Sequence, residues 1–150
     1  MNLHIMIGLP LSGKSTYCKE LQKKGYVVVC PDTVRLAIHG NQFIPIAEPL
    51  VWATAQIMVR SLLMQGHNVV IDATNTTVER RKMWVNMANE FDIQLKCHWL
   101  STSKEECLER NEKLQRLNPS IIERMADQFE SPMVDGLLLC KNLAEEETCN

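Results

Sequence analysis

Residues 8–16 read Gly8-Leu9-Pro10-Leu11-Ser12-Gly13-Lys14-Ser15-Thr16. Residues 8–15 fit the pattern GxxxxGK[ST], in which glycines let the backbone wrap so that its N–H groups point inward at phosphate oxygens. A short apolar run precedes the stretch and a segment with helical spacing follows it, which is the strand-to-helix context that such a loop requires. The stretch therefore predicts a phosphate-binding loop in an α/β fold.

Strand-like and helix-like segments alternate along the chain on both sides of this loop. The predicted strands are residues 3–7, 26–30, 68–72 and 93–100, with a short edge strand at 136–140. The predicted helices are residues 14–24, 31–39, 45–65 and 76–90, followed by two that begin near Ser103 and Ser120. Strict alternation implies parallel strands joined by right-handed crossovers. We therefore expect a doubly wound parallel sheet with helices on both faces.

Capping boxes mark the starts of the last three helices. In a capping box a Ser or Thr hydroxyl and a Glu three residues later satisfy the first backbone N–H groups of a helix. The pairs with this spacing are Thr76 with Glu79, Ser103 with Glu106, and Ser120 with Glu123.

The composition is that of an ordinary globular domain. The chain has 150 residues, of which 45% are hydrophobic and 23% charged, and its formal net charge is −2. Its apolar runs are far shorter than the ~20 residues that span a bilayer, and no basic region leads into a long apolar stretch. Near-neutral charge argues against coating of nucleic acid by global electrostatics, although a local basic groove remains compatible with it. We expect a cytoplasmic domain without a membrane segment.

The cysteines carry no metal or redox motif. None of the six lies in a CxxC pair, and no histidine has zinc-finger spacing from them. Several fall in apolar stretches, where a free cysteine behaves as a small hydrophobic residue. We predict reduced structural thiols.

The loop and a neighbouring strand end carry the residues predicted to bind ATP and Mg²⁺. Lys14 is predicted to reach the β- and γ-phosphates, and the Ser15 hydroxyl is predicted to bind the metal ion. Asp72 ends an apolar strand and is predicted to hold magnesium through a water molecule. The predicted nucleotide-binding set is Gly8, Leu11, Ser12, Gly13, Lys14, Ser15, Thr16 and Arg110.

Absent motifs narrow the class of phosphate-loop protein. Ala73 follows Asp72, at the position where motor-type ATPases often carry a catalytic glutamate. The chain also contains no NKxD sequence for reading guanine. Nothing therefore points to a mechanical ATPase or a GTPase switch, and a small kinase remains.

Two residues after the second strand are candidates for the acceptor site. Asp32 lies at the crevice where such sheets bind ligands, and Arg35 lies one helical turn further on the same face. A carboxylate there can orient and deprotonate an acceptor hydroxyl in line with the γ-phosphate. The guanidinium can hold a neighbouring anionic group. The alternative is that Asp32 only caps its helix and pairs with Arg35, although capping and catalysis are compatible.

A basic row at three-residue spacing, Arg110 with Lys113 and Arg116, is the candidate for a cationic lid over the triphosphate. Glutamates share this helix, so the alternative is a solvated helix with mixed charges. We expect a domain over residues 1–140 with the lid around residues 108–119, and an acidic tail over 141–150.

Two further groups of residues carry open interpretations. The run Arg80-Arg81-Lys82 either receives a phosphate backbone or forms a solvated helix face. The three tryptophans, Trp52, Trp84 and Trp99, lie on apolar faces, which favours core packing over stacking on a base.

The order of five blocks along nearly the whole chain resembles the small P-loop kinases, including the kinase module of phage polynucleotide kinase. The blocks are GLPLSGKST, PDTVR, VIDATNTTVERR, LERN and ERMADQFESP. This resemblance implies an adenylate-kinase-like fold and transfer of the γ-phosphate of ATP to the 5′-hydroxyl of DNA or RNA. It also implies that Asp32 is the general base, that Arg35 contacts the acceptor's phosphate, and that Arg110 is the lid arginine beside Lys14 in the catalytic set.

One block departs from the phage enzyme. Asp72-Ala73-Thr74-Asn75 is the form seen across the wider family, whose members phosphorylate nucleosides, sugars and other small molecules. A small-molecule acceptor is therefore the first alternative to a polynucleotide 5′ end. A nucleotide-binding module that switches a partner without turnover is the second.

Overall fold

A computed structural model describes residues 1–40, 43–135 and 140–142, and its centre is a five-stranded parallel sheet. The strands are β1 Leu3–Ile7, β2 Tyr26–Val29, β3 Asn68–Ile71, β4 Leu95–Trp99 and β5 Cys140–Asn142. Their order in the sheet is β2-β3-β1-β4-β5. In the centre, Ile5 of β1 pairs with Ile71 of β3 and with Cys97 of β4, all in parallel register. The predicted parallel α/β sheet is confirmed.

Helices connect successive strands. They are α1 Lys14–Lys23, α2 Pro31–His39, α3 Glu48–Met64, α4 Val78–Glu90, α5 Lys104–Leu114 and α6 Pro119–Asp127. Short 3₁₀ turns cover Pro45–Ala47 and Pro132–Asp135. The helix predicted over residues 45–65 is thus divided into a 3₁₀ turn and α3.

Two of the three predicted capping residues are wrong by one or two positions. The side chain of Thr77, and not of Thr76, accepts from the backbone N–H of Arg80, because Thr77 has the extended backbone of an N-cap. Asn118, and not Ser120, caps α6, because Pro119 takes the first helical position and the cap must precede it. Ser103 caps α5 as predicted, accepting from the N–H of Glu106.

Helices cover both faces of the sheet, as predicted. On one face α3 and α4 pack on β1, β3 and β4, and Trp84 of α4 is fully buried there. On the other face Cys18 and Leu21 of α1 pack on Met6 and Val70. A third apolar cluster joins Leu9 of the phosphate loop to Cys107 of α5 and Ile122 of α6. The loop is therefore anchored to the segment that follows β4.

The remaining expectations are met in part within the described residues. Strand β5 overlaps the predicted edge strand only at Cys140, and residues 136–139 and 143–150, with most of the predicted acidic tail, lie outside the described residues. Lys141 and Asn142, which were assigned to that tail, belong to β5. In the ranges that the structure describes, Cys18, Cys30 and Cys107 are free thiols. Over the same ranges, no helix combines the length and apolar character needed to cross a membrane.

Candidate active site

The candidate site lies at the edge of the sheet where the strands end. The phosphate loop follows β1. Asp32 lies three residues after the end of β2, and Asp72 directly follows β3. Ligands bind at this edge in open α/β sheets because the loops there converge on the crevice between crossovers. Gly8 and Asp72, which are 64 residues apart in the sequence, therefore lie in one site.

Glycine is required at two positions of the phosphate loop. A Cβ on Gly8 would lie 2.7 Å from the Ser12 hydroxyl and 3.0 Å from the Leu100 carbonyl oxygen, which is too close for any side chain. Gly13 has a φ of +104°, which residues with a side chain rarely adopt. The Thr102 hydroxyl donates to the Ser12 carbonyl at 3.0 Å and ties the loop to the chain beyond β4.

Lys14 occupies the loop as a buried cation. Its Nζ donates to the Leu9 carbonyl at 2.6 Å and to the Ser12 hydroxyl at 3.4 Å, and both acceptors are uncharged. Burial lowers the pKa of Lys14 to about 8, even though the nearby Asp72 carboxylate favours the charged form. An anion beside the ammonium group would offset this burial. The loop therefore fits a phosphate group.

This lowered pKa predicts the pH dependence of ATP binding. The charged form of Lys14 attracts phosphate, so binding takes up a proton when the free amine has lost it. We expect the dissociation constant for ATP to be flat between pH 7 and 8 and to rise above pH 8 by up to about tenfold per pH unit. Isothermal titration calorimetry across pH 7 to 9.5 measures it.

The matched control is Lys14→Met, which has no titrating amine at this position. Its weaker ATP affinity should stay constant over the same pH range. A wild-type affinity that is equally constant up to pH 9.5 would contradict the prediction.

The two residues predicted to hold magnesium differ in exposure. The Ser15 side chain is on an exposed residue at the start of α1, and Asp72 is buried at the end of β3. Among the described residues no group of three His, Cys, Asp or Glu side chains could hold a metal ion. A hydroxyl and one carboxylate fit Mg²⁺ when phosphate oxygens and water complete the octahedron.

Asp32 and Arg35 form the ion pair that the sequence suggested. Arg35 Nη1 donates to the Asp32 carboxylate at 2.6 Å, across one turn of α2. The capping alternative is wrong: Cys30 is the N-cap residue of α2, and no side chain caps that end. The Asp32 side chain is 86% exposed, whereas Arg35 is only 18% exposed. A fixed guanidinium thus holds a carboxylate that is open to an incoming molecule.

Glu48, at the start of α3, was not predicted and binds Arg35 from the other side. Its two carboxylate oxygens accept from Arg35 Nε at 2.7 Å and from Nη2 at 2.8 Å. This hydrogen-bonded pair lowers the pKa of Glu48 and raises that of Arg35, so both stay charged. No local motif links the two residues, because the contact joins the middle of α2 to the start of the packed helix α3.

Trp52 and Arg80 extend this group of contacts. We call Asp32, Arg35, Glu48, Trp52 and Arg80 together the acceptor network. The Trp52 indole N–H donates to Glu48 Oε2 at 3.1 Å, one turn along α3. The Arg80 guanidinium lies over the Trp52 ring, with its carbon 3.6 Å from the ring centre. Trp52 therefore serves this network as well as packing against the core, whereas the sequence favoured core packing alone.

The basic run at the start of α4 has three different environments. Arg80 belongs to the acceptor network through its contact with Trp52, while Lys82 is exposed. Arg81 is fully buried and donates to the Asn75 carbonyl at 2.9 Å. The Asn75 side chain in turn donates to the Met6 carbonyl and accepts from the indole of Trp84. Neither predicted interpretation, a run that receives a phosphate backbone or a solvated helix face, applies to all three residues.

Arg110 reaches the phosphate loop from α5. Its Nη1 donates to the Leu11 carbonyl at 2.9 Å, and its Nη2 donates to Glu106 at 2.8 Å. Leu11 has a φ of +64°, a left-handed conformation that is uncommon for a residue with a side chain. Lys113, by contrast, pairs with Glu109 on the exposed helix surface, and Arg116 is exposed beyond the end of α5. Of the predicted basic row, Arg110 is the member that contacts the loop.

Two curated relatives resemble the chain. It is 32% identical over 102 residues to the bifunctional polynucleotide phosphatase/kinase of Schizosaccharomyces pombe, a match that covers 67% of this chain. It is 31% identical over 144 residues to the putative bifunctional polynucleotide kinase/RNA ligase of Autographa californica nuclear polyhedrosis virus, covering 85% of this chain. The matches cover 21% and 20% of those relatives, so the chain spans about a fifth of their length.

A solved structure and a family model agree with these matches. The structure of the Pnkp1/Rnl/Hen1 RNA repair complex contains a chain that is 27% identical, with a TM-score of 0.76 over 85% of this chain and 43% of that one. The family model described as an AAA domain matches residues 3–132, which include every residue of the site above. The chain belongs to this AAA domain family, and its predicted resemblance to polynucleotide kinases and small P-loop kinases is confirmed.

Proposed function

We propose that this chain is an ATP- and Mg²⁺-dependent kinase that transfers the γ-phosphate to the 5′-hydroxyl of a polynucleotide. The observation that carries the proposal is the exposed Asp32 carboxylate, held by the half-buried Arg35 at the sheet edge that also carries the phosphate loop. A kinase needs both a triphosphate site and a group that orients an acceptor hydroxyl, and an exposed carboxylate at this edge supplies the second.

The triphosphate side of the proposal rests on the phosphate loop. Gly8, Leu11, Ser12, Gly13 and Thr16 line or flank the loop, and Lys14 is the buried cation within it. Lys14 would hold the β- and γ-phosphates, while Ser15, and Asp72 through a water molecule, would hold Mg²⁺. The metal ion would supply positive charge that offsets the charge of the phosphates.

The acceptor side of the proposal rests on Asp32 and Arg35. Asp32 accepts the proton of the attacking hydroxyl, and its exposure leaves room for that hydroxyl to approach. Arg35 fixes the direction of the carboxylate through the 2.6 Å bond. The relatives named as polynucleotide kinases support a nucleic-acid end as the acceptor.

Arg110 is proposed as the lid arginine. Its guanidinium touches the Leu11 carbonyl, on the rim of the loop where the γ-phosphate is expected. A cation there stabilises charge that develops on the transferring phosphoryl group. We propose residues 1–142, which include all of β5, as the kinase domain, with residues 108–119, between the middle of α5 and the start of α6, as the lid segment.

The test is transfer of label from γ-³²P-ATP with Mg²⁺ to three kinds of acceptor. These are a 5′-hydroxyl oligonucleotide, free nucleosides and a metabolite mixture. We expect label on the oligonucleotide at micromolar concentration, with a rate that falls steeply as salt rises because phosphates contribute to binding. Label confined to a small molecule would contradict the polynucleotide assignment and favour the small-molecule alternative. Tight ATP binding without any transfer would contradict the kinase proposal itself.

A further inference from the structure

The charges in the acceptor network are not evenly paired. Arg35 lies between two carboxylates, which engage its Nε and both terminal nitrogens. Glu48 uses both of its oxygens on Arg35, and its second oxygen also accepts from the Trp52 indole. Arg35 is therefore already neutralised before any acceptor arrives.

Arg80, unlike Arg35, is not paired with a carboxylate in the described part of the chain. Over the residues that the structure describes, no carboxylate forms an ion pair with it, and its side-chain hydrogen bond is a long one of 3.6 Å to the sulfur of Met83. The residue is half-buried, and burial lowers the pKa of its guanidinium. The Arg80 guanidinium lies over the Trp52 ring, and this cation–π contact holds it in place.

A chain of contacts joins Arg80 to the acceptor side of the site. Trp52 holds one face of the guanidinium, and Glu48 holds Trp52 through the indole N–H while it binds Arg35. Arg80 thus belongs to the same connected group as Asp32, through Trp52, Glu48 and Arg35.

We propose that Arg80 binds an anionic group of the acceptor, the phosphodiester next to the reacting 5′-hydroxyl, and so sets the preference for a polynucleotide over a neutral acceptor. This inference rests on the proposed function. A phosphate supplies a direct ion-pair partner, which Arg80 lacks among the described residues, whereas a nucleoside or sugar supplies none. Glu48 and Glu79 attract the guanidinium without forming an ion pair with it. Among the described residues Arg80 Nη1 donates to the Met83 sulfur, while Nε and Nη2 have no acceptor and are available to a phosphate.

The experiment compares two dinucleotide acceptors that differ in charge alone. Both carry a 5′-hydroxyl, one with an ordinary phosphodiester and one with an uncharged methylphosphonate linkage. For Arg80→Gln we expect KM for the phosphodiester acceptor to rise about 10- to 100-fold, with KM for the methylphosphonate acceptor and for ATP changed less than twofold. The slope of log(kcat/KM) against log salt for an oligonucleotide should also fall by about 1.

Two matched variants separate charge from structure. Lys82→Gln removes an exposed cation from the same run of α4 and should leave both acceptors unchanged. Arg80→Lys keeps the charge and should recover part of the phosphodiester preference. An Arg80→Gln variant that loses activity equally on both dinucleotides would show a structural role and overturn the inference.

Failure of the inference and failure of the proposed function give different results. If wild-type protein phosphorylates the oligonucleotide and Arg80→Gln keeps the wild-type KM for the phosphodiester, the inference alone is overturned. If wild-type protein labels only neutral small molecules, the proposed function and this inference are both overturned.

Discussion

Replacement of Asp32 by asparagine is expected to lower kcat for phosphate transfer by about 10²- to 10⁴-fold, the usual contribution of a general base. The amide keeps the shape of the side chain and can still accept from Arg35, but it does not take a proton from the acceptor hydroxyl. The side chain lies outside the phosphate loop and is largely exposed, so the affinity for ATP should change less than threefold. Steady-state kinetics with a 5′-hydroxyl oligonucleotide, beside calorimetry with ATP, measures both effects.

Asp92→Asn is the matched control for this substitution. Asp92 is an exposed aspartate in the turn before β4, at the opposite edge of the sheet, and its φ of +51° is one that asparagine tolerates. We expect wild-type kinetics for it. If Asp32→Asn lost ATP binding together with activity, Asp32 would be a structural residue and the proposed acceptor site would be wrong.

Replacement of Arg110 by methionine is expected to lower kcat by about 10³-fold, at the lower end of the effect of an arginine that neutralises a transferring phosphoryl group. Methionine keeps much of the apolar stem but cannot donate to the Leu11 carbonyl or to the phosphate. KM for the oligonucleotide should change little, because the contact is to the loop and not to the Asp32–Arg35 network. Single-turnover kinetics separates the chemical step from product release.

Lys113→Met provides the comparison on the same helix. Lys113 is exposed and pairs with Glu109 in a surface ion pair that the solvent screens. It should retain wild-type kcat. Equal losses in Arg110→Met and Lys113→Met would mean that the basic row acts through general charge, which would contradict a specific lid arginine.

The fold was predictable because local signals and global topology agree. The phosphate loop, the alternation of elements and the glycines that end helices defined four strands and the helices between them within a few residues. The helix starts at Thr77 and Asn118 were missed, since neighbouring residues offered equally good capping chemistry. At Thr77 the choice depends on tertiary contacts, such as the bond from the Glu130 N–H to the Thr76 carbonyl, whereas at Asn118 the following Pro119 was a local signal that was overlooked.

The candidate site was predictable where its residues belong to one sequence motif or to one helical turn. Lys14, Asp32 and Arg35 are of this kind. The contacts of Glu48, Trp52 and Arg80 could not be predicted from the sequence. These residues come from α3 and α4, and their contacts form only when those helices pack. The first-turn position of Glu48 was the one available signal, and many surface helices carry an acid there.

Single-turnover transfer from γ-³²P-ATP tests the central claim most directly, with protein in excess over a 5′-hydroxyl oligonucleotide and Mg²⁺ present. We predict that label appears at the 5′ end of the oligonucleotide in near-stoichiometric amount, and that nuclease digestion releases it as a 5′-labelled mononucleotide. We also predict that Asp32→Asn slows this step while binding ATP normally. Release of the label only as inorganic phosphate, at the same rate with and without the oligonucleotide, would contradict the account.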